Sequence, residues 1–368
     1  MLKPDIDDTG ESFFEQHDLF ISKGRCYFRI PSITVAEPGI VLAFANRRLD
    51  TCADAAGEVH IIGRRSPGVS QGWEPIVELC AAPGWHAAIG TVITDTENGA
   101  ILLPYHRGRR NISDEPDREE KVSRGGDYLA ISKDNGRTWD HQRMTVEPNG
   151  AGCCGSTHGA SPGITLQHGR KKGRLIAPAR YATRPDEELE TLQKHHYNCT
   201  IYSDDGGRTW QTGGPLQVGT GEGCLVELSD GTIYYNSRAY FMDGKRRIAR
   251  SYDGGETFED FAVDENLVEP KGGCNAGMAS VPVRLSAGRD LILLSNPAHN
   301  ERRQLTVWLS PDGGRTWPVS KIVHAGPAAY SSLAVSDDGT IFILYENGEK
   351  SPYEKISLAR FSLRWLTD

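Results

Sequence analysis

Four copies of one turn signature constrain the fold of this chain more than any other feature. They read SKDNGRTW (Ser132–Trp139), SDDGGRTW (Ser203–Trp210), SYDGGETF (Ser251–Phe258) and SPDGGRTW (Ser310–Trp317). The shared pattern is S-x-D-x-G-x-T-[WF], and each copy follows a short β-type run: Tyr128–Ile131, Tyr197–Tyr202, Arg247–Arg250 and Leu305–Leu309. A strand, a Gly/Asp turn and a Thr-Trp that restarts a strand make a hairpin. The aspartate accepts hydrogen bonds inside its own turn, glycine supplies a positive φ, and the aromatic ring packs beneath. These aspartates are therefore structural rather than catalytic. A degraded copy lies at Arg65–Trp73, where the aspartate is missing.

The aspartates at 134, 205, 253 and 312 recur about every 60 residues, so the chain holds about six such units, a propeller's blade count. Alternating strands fill the intervals at 39–45, 59–62, 99–103, 173–177, 225–228, 231–235, 291–294 and 339–345. Short strands joined by D-G and N-G turns indicate an antiparallel all-β fold. The expected architecture is a six-bladed β-propeller of four-stranded antiparallel blades, one catalytic domain over 1–368. The run 356–363 is expected to pair with an N-terminal strand and close the ring. Residues 107–126 read as a charged loop and 185–196 as a short exposed helix, both insertions at blade ends.

A formal net charge of −8 argues against nucleic acid as a partner, but not against a small anion met by a local arginine cluster. No run of eighteen apolar residues exists to span a membrane. The N-terminal residues show no basic region followed by an apolar one, which points to a cytoplasmic location. The eight cysteines then read as free thiols in a reducing compartment, with the adjacent Cys153 and Cys154 as buried small side chains. No C-x-x-C or H-E-x-x-H occurs, so no metal site and no cofactor are expected.

Three arginines carry the functional reading. Arg29 sits in the otherwise apolar stretch Tyr27–Ile33, Arg238 at the end of a strand after Glu227–Tyr235, and Arg302 just before the strand Leu305–Leu309. An arginine buried without a partner is costly, so an anion should meet it. Repeats arranged around an axis would let the three converge, and guanidinium forks grip a carboxylate through paired charge-assisted hydrogen bonds.

FRIP at Phe28–Pro31 followed by repeated Asp-boxes resembles the sialidase (neuraminidase) family, and the likeness runs in order from Tyr27 to Glu346. The resemblance implies that Arg29, Arg238 and Arg302 are the carboxylate-binding triad, with Arg303 as the alternative to Arg302. It implies that Tyr330, in the segment YSSL, is the nucleophile and that Glu222 activates it, with Glu227 the weaker candidate. Asp54 matches the acid/base aspartate, with Asp50 as fallback. Arg48 resembles a further arginine bordering the sugar, and Glu346 the glutamate that holds the first triad arginine. Trp85, His86 and His158 are candidate contacts or packed residues.

The activity so implied is exo-α-sialidase: retaining hydrolysis of a sialylated oligosaccharide or glycoconjugate through a tyrosyl intermediate. Sialidases depart from the usual glycosidase pair of carboxylates. A carboxylate nucleophile would approach the carboxylate on the anomeric carbon against repulsion, and a neutral phenol avoids this. Hydrolysis of a related 2-keto acid sugar (Kdn or Kdo-like), or a non-catalytic carbohydrate-binding propeller, are the alternatives.

Overall fold

The computed structural model describes residues 11–368 except 37–38, 55–56, 69, 82, 111–121, 158, 183–195 and 287. Its described residues form antiparallel strands almost throughout, with a single short α-helix at Leu363–Thr367. The all-β expectation holds. The pairing Phe14–Ile21 with Lys355–Phe361 is antiparallel, so the first and last strands share one sheet as expected.

Among the described residues the strands fall into four hydrogen-bonded sheets. One continues from Phe14–Ile21 and Lys355–Phe361 through Ile341–Asn347 into the seventeen-residue strand Val319–Val335, then to Arg303–Ser310, Ile292–Pro297 and Gly277–Ser280. Its long strand serves two neighbours: residues 319–327 pair with Arg303–Leu309, and residues 328–335 pair with Ile341–Asn347. A second sheet runs from Cys26–Ala36 and Ile40–Leu49 outward to Val122–Ser132 and Asp140–Arg143. Thr220–Glu227, Ile233–Ala239, Lys245–Ser251 and Glu259–Val268 form a meander of their own.

The inner strands pack side by side in a closed circuit. Cys26–Ala36 touches Ile93–Asp95, which touches Ile164–Thr165; Leu175–Ala182, Thr220–Glu227, Gly277–Ser280 and Val319–Val335 follow, and the last returns to Cys26–Ala36. Small polar side chains join them: Thr34 Oγ1 lies 2.6 Å from Thr94 Oγ1, and Ser332 Oγ donates to Ala160 O at 2.8 Å. One cluster of the apolar core gathers Leu291, Leu305, Leu333, Ile343 and Phe361, from or beside strands on both sides of the long strand Val319–Val335.

The repeated turns are built as their residue types predict. In the second copy Asp205 Oδ1 accepts from Ser203 Oγ, Arg208 N and Thr209 N at 2.8–3.0 Å, and Oδ2 accepts from Thr209 Oγ1 at 2.7 Å. Gly207 takes φ +86°, and the Trp210 ring below is buried, its Nε1 donating to Gly207 O at 3.0 Å. In the degraded copy Ser66 Oγ bonds to Gly68 O and Gln71 O instead, closing a turn without an aspartate.

Two readings need correction. The charged segment at 107–126 is not simply a loop: strand Ala100–Arg110 continues into it and Val122–Ser132 begins inside it, paired with each other. A ladder fixes backbone regardless of how polar the side chains are. Residues 111–121, and 185–195 of the expected helix, lie outside the described residues. All eight cysteines are free, but Cys154 is exposed and Cys153 only half-buried, at the margin of the cluster that holds Leu102 and Tyr181.

The Asp205 carboxyl is pulled down to about 2: burial works against its charge, and the bonds from Thr209, Ser203 and Arg208 overcome it. A folded pKa below the unfolded value of about 3.9 gives stability that is present above that value and lost as pH falls through about 2. Asp205→Ala should therefore lower urea stability near neutral pH by about 1–3 kcal/mol. The gap from wild type should narrow on acidification; a gap independent of pH would contradict the ionic origin.

Candidate active site

Arg29, Glu222 and Tyr330 each sit at an irregularity in an inner strand. Register shifts occur between Arg29 and Ser32, between Thr220 and Gly223, and between Ala328 and Ser331. A bulge breaks the alternation of a strand and re-aims one side chain. At the first of these Ile30 takes φ +57°, a strained conformation for a β-branched residue, immediately before Pro31.

Glu346 over-determines that strained geometry. Its Oε1 accepts from Arg29 Nε at 2.6 Å and from Ile30 N at 2.9 Å, while Oε2 accepts from Tyr330 N at 3.1 Å. One fully buried carboxylate thus fixes the first arginine and the tyrosine backbone together. Burial works against the charge of Arg29, but Glu346 more than offsets it and the guanidinium is held protonated. Glu346→Gln would leave a buried guanidinium without its counter-charge, at a cost of about 3–5 kcal/mol. Urea unfolding should register this as an earlier midpoint, and an unchanged midpoint would remove Glu346 from that role.

Around Tyr330 the other predicted residues gather. Its hydroxyl donates to Glu222 Oε1 at 2.6 Å and accepts from Arg238 Nη1 at 3.0 Å. The same Nη1 donates to Glu222 Oε2 at 2.5 Å. Arg238 is aimed by Gly272 O, which accepts from both its Nε and its Nη2 at 3.1 Å. Behind it the fully buried pair Arg246–Glu269, 2.7 Å apart, holds Ala239 N and the Cys274 backbone. The glycines flanking Glu222 are explained by close approach: a Cβ at Gly221 would strike Tyr240, and one at Gly223 would strike Tyr235. Burial, then the Glu222 charge, pushes the Tyr330 phenol well above its ordinary value, with Arg238 and Arg302 pulling the other way. The phenol is neutral and its proton already lies on the bond to Glu222.

Arg302 reaches the same place from the bend just before strand Arg303–Ser310, its guanidinium carbon 5.4 Å from the Tyr330 ring centroid; that of Arg29 is 5.7 Å away. Its Nη1 donates to Tyr353 Oη at 2.7 Å, and it has no carboxylate partner among the described residues. The alternative, Arg303, is exposed. Asp54 Oδ1 lies 2.7 Å from Arg48 Nη1 and 3.9 Å from Arg29 Nη1, with its side chain 77% exposed. Burial raises its pKa, but Arg48 and Arg29 outweigh this and the carboxyl lies below the usual range. Cys52 O also accepts from Arg29 Nη1 and Arg48 Nη1, at 3.1 and 2.7 Å.

The fallback candidates lie elsewhere. Asp50 pairs with exposed Arg25 at 2.8 Å. Glu227 accepts from the backbone N–H groups of Gln167 and His168, which is a structural role. Trp85 has the Arg107 guanidinium carbon 4.1 Å from its ring centroid, and His86 is in register with Val59. His158 is outside the described residues.

Sequence reasoning missed Tyr353, which touches two of the three arginines: its hydroxyl meets Arg302 and its ring centroid is 3.9 Å from the Arg29 guanidinium carbon. It stands in the loop between Ile341–Asn347 and Lys355–Phe361, where a tyrosine in SPYEK carries no pattern to mark it.

The chain is similar to known proteins over most of its length. Residues 41–343 match the family model described as a BNR repeat-like domain. The sialidase of Micromonospora viridifaciens is 32% identical over 374 residues, covering 97% of this chain but 55% of its own length. Sialidase-2 of Cricetulus griseus is 27% identical, with 95% of this chain and 96% of the relative aligned. Among solved structures, the Hadza microbial sialidase Hz136 superposes with a TM-score of 0.78 at 25% identity, over 92% of this chain and 66% of that one. The chain belongs to the sialidase family, whose solved members are β-propellers.

Proposed function

We propose that the protein is an exo-α-sialidase that hydrolyses terminal sialic acid glycosides with retention. The observation that carries this reading is Arg302, an arginine facing Tyr330 with no carboxylate partner among the described residues. Arg29 and Arg238 already have glutamates, so one positive charge is left over at the site. A 2-keto acid sugar supplies the missing anion. The closed circuit of inner strands supports six blades of about four strands, with Val319–Val335 running through two of them, and one catalytic domain over 1–368.

In this mechanism Arg29, Arg238 and Arg302 hold the sugar carboxylate and orient the anomeric carbon over Tyr330. Glu222, already accepting the phenol hydrogen, takes the proton as the C–O bond to Tyr330 forms. Asp54 protonates the departing glycosidic oxygen. It then activates the water that attacks the tyrosyl-linked sugar, so that two inversions give overall retention. Arg48 borders the sugar and sets the basicity of Asp54.

Umbelliferyl α-sialoside should release umbelliferone with wild type, and Tyr330→Phe should slow turnover by about 100-fold or more. Asp54→Ala should slow it less with so good a leaving group. Inertness of wild type toward this substrate and its Kdn and Kdo analogues would overturn the glycosidase reading in favour of a binding propeller.

Asp54 must be protonated to act as the acid, so kcat for a poor leaving group falls as pH rises through its pKa. Arg48→Met removes the nearest positive charge, raises that pKa, and should move the alkaline limb of kcat to higher pH. A limb that stays fixed would mean that another group is the acid.

A further inference from the structure

An arginine without a counter-ion must still be held, and what holds Arg302 is neutral. Its Nη1 donates to the Tyr353 hydroxyl at 2.7 Å. A phenol oxygen that accepts has one hydrogen left to give. That hydrogen has no acceptor among the described residues. The ring of the same tyrosine lies against Arg29, at 3.9 Å, and both arginines face the Tyr330 ring. The hydroxyl is thus held beside Arg302, on a ring that faces Arg29 and packs against the cluster containing Tyr330.

We propose that Tyr353 is a substrate-binding residue, donating its phenolic hydrogen to the sugar carboxylate while its oxygen holds Arg302 and its ring holds Arg29. This rests on reading the site as one for a carboxylate-bearing sugar. The choice of side chain follows from charge. A carboxylate in this position would neutralise Arg302 and repel the ligand; a hydroxyl orients the guanidinium and leaves its charge for the ligand. The ring adds a cation–π contact that keeps Arg29 in plane opposite Glu346.

The loop carrying Tyr353 is pinned before any ligand arrives. Glu354 accepts from the backbone N–H groups of Glu349, Lys350 and Ser351 at 2.9–3.0 Å. Ser22 Oγ donates to Tyr353 O at 3.1 Å, and Ser22 N to Glu354 O at 2.9 Å. A donor held in position loses little freedom on binding.

The test compares binding of the unsaturated glycal of sialic acid and its C1 methyl ester, by calorimetry, to wild type, Tyr353→Phe and Tyr353→Leu. Tyr353→Phe keeps the ring over Arg29 and removes only the hydroxyl. It should weaken the acid by about 10- to 100-fold, the range for a hydrogen bond to a charged group, and the ester much less. With the umbelliferyl substrate its KM should rise by more than its kcat falls, a split that a merely structural role would not give. Tyr353→Leu should weaken the acid further. Wild type that binds the acid while Tyr353→Phe binds it equally well overturns this proposal alone. Wild type that binds neither ligand overturns it together with the function proposed above.

Discussion

The buried carboxylate of Glu346 is the interaction on which the site depends. It joins the strand Cys26–Ala36, near the start of the chain, to Val319–Val335 and Ile341–Asn347, near its end. The same two oxygens answer a guanidinium and two backbone N–H groups, one of them on a residue held at φ +57°. Such strain persists only where the surroundings over-determine it. Here it turns Arg29 out of the strand's alternation and toward Tyr330. The pairing of the first and last strands joins the two ends of the chain in one sheet.

Around that anchor the charges are arranged so that the Tyr330 phenol is neutral while arginines surround it. Tyr330 is kept protonated by burial and by Glu222, which accepts its hydrogen. Arg238 touches both groups through one nitrogen, so its placement by Gly272 O sets the geometry of the pair. Arg302 brings a further positive charge, held by the Tyr353 hydroxyl and without a carboxylate partner among the described residues. Asp54 contrasts with these groups: it is exposed and held anionic by Arg48 and Arg29. Occupation of Arg29 by a ligand carboxylate would weaken that hold and favour the protonated form that an acid needs.

Much of the fold was legible because the turn signature is local. An aspartate that accepts from its own turn, a glycine at positive φ and a packed aromatic ring need no knowledge of distant residues. The pairing of the first and last strands was legible too, since a terminal alternating run without a neighbour must find one. What failed was the reading of polar segments. Residues 107–110 and 122–126 look like loop by composition, yet they form a ladder, because backbone hydrogen bonds are indifferent to side-chain polarity. The Cys153–Cys154 pair misled for a related reason: smallness favours burial on average but does not decide it.

The sequence by itself determined the residue types of the site and the order in which they come: an arginine in an apolar strand, a glutamate between glycines, a tyrosine before paired serines. It determined the turn chemistry outright. Only the tertiary structure decided which groups meet. The three bulges that aim Arg29, Glu222 and Tyr330 arise from the register between strands, and register depends on partners far away in the chain. Tyr353 belongs wholly to this second class, since its meaning lies in two arginines brought to it from distant parts of the chain.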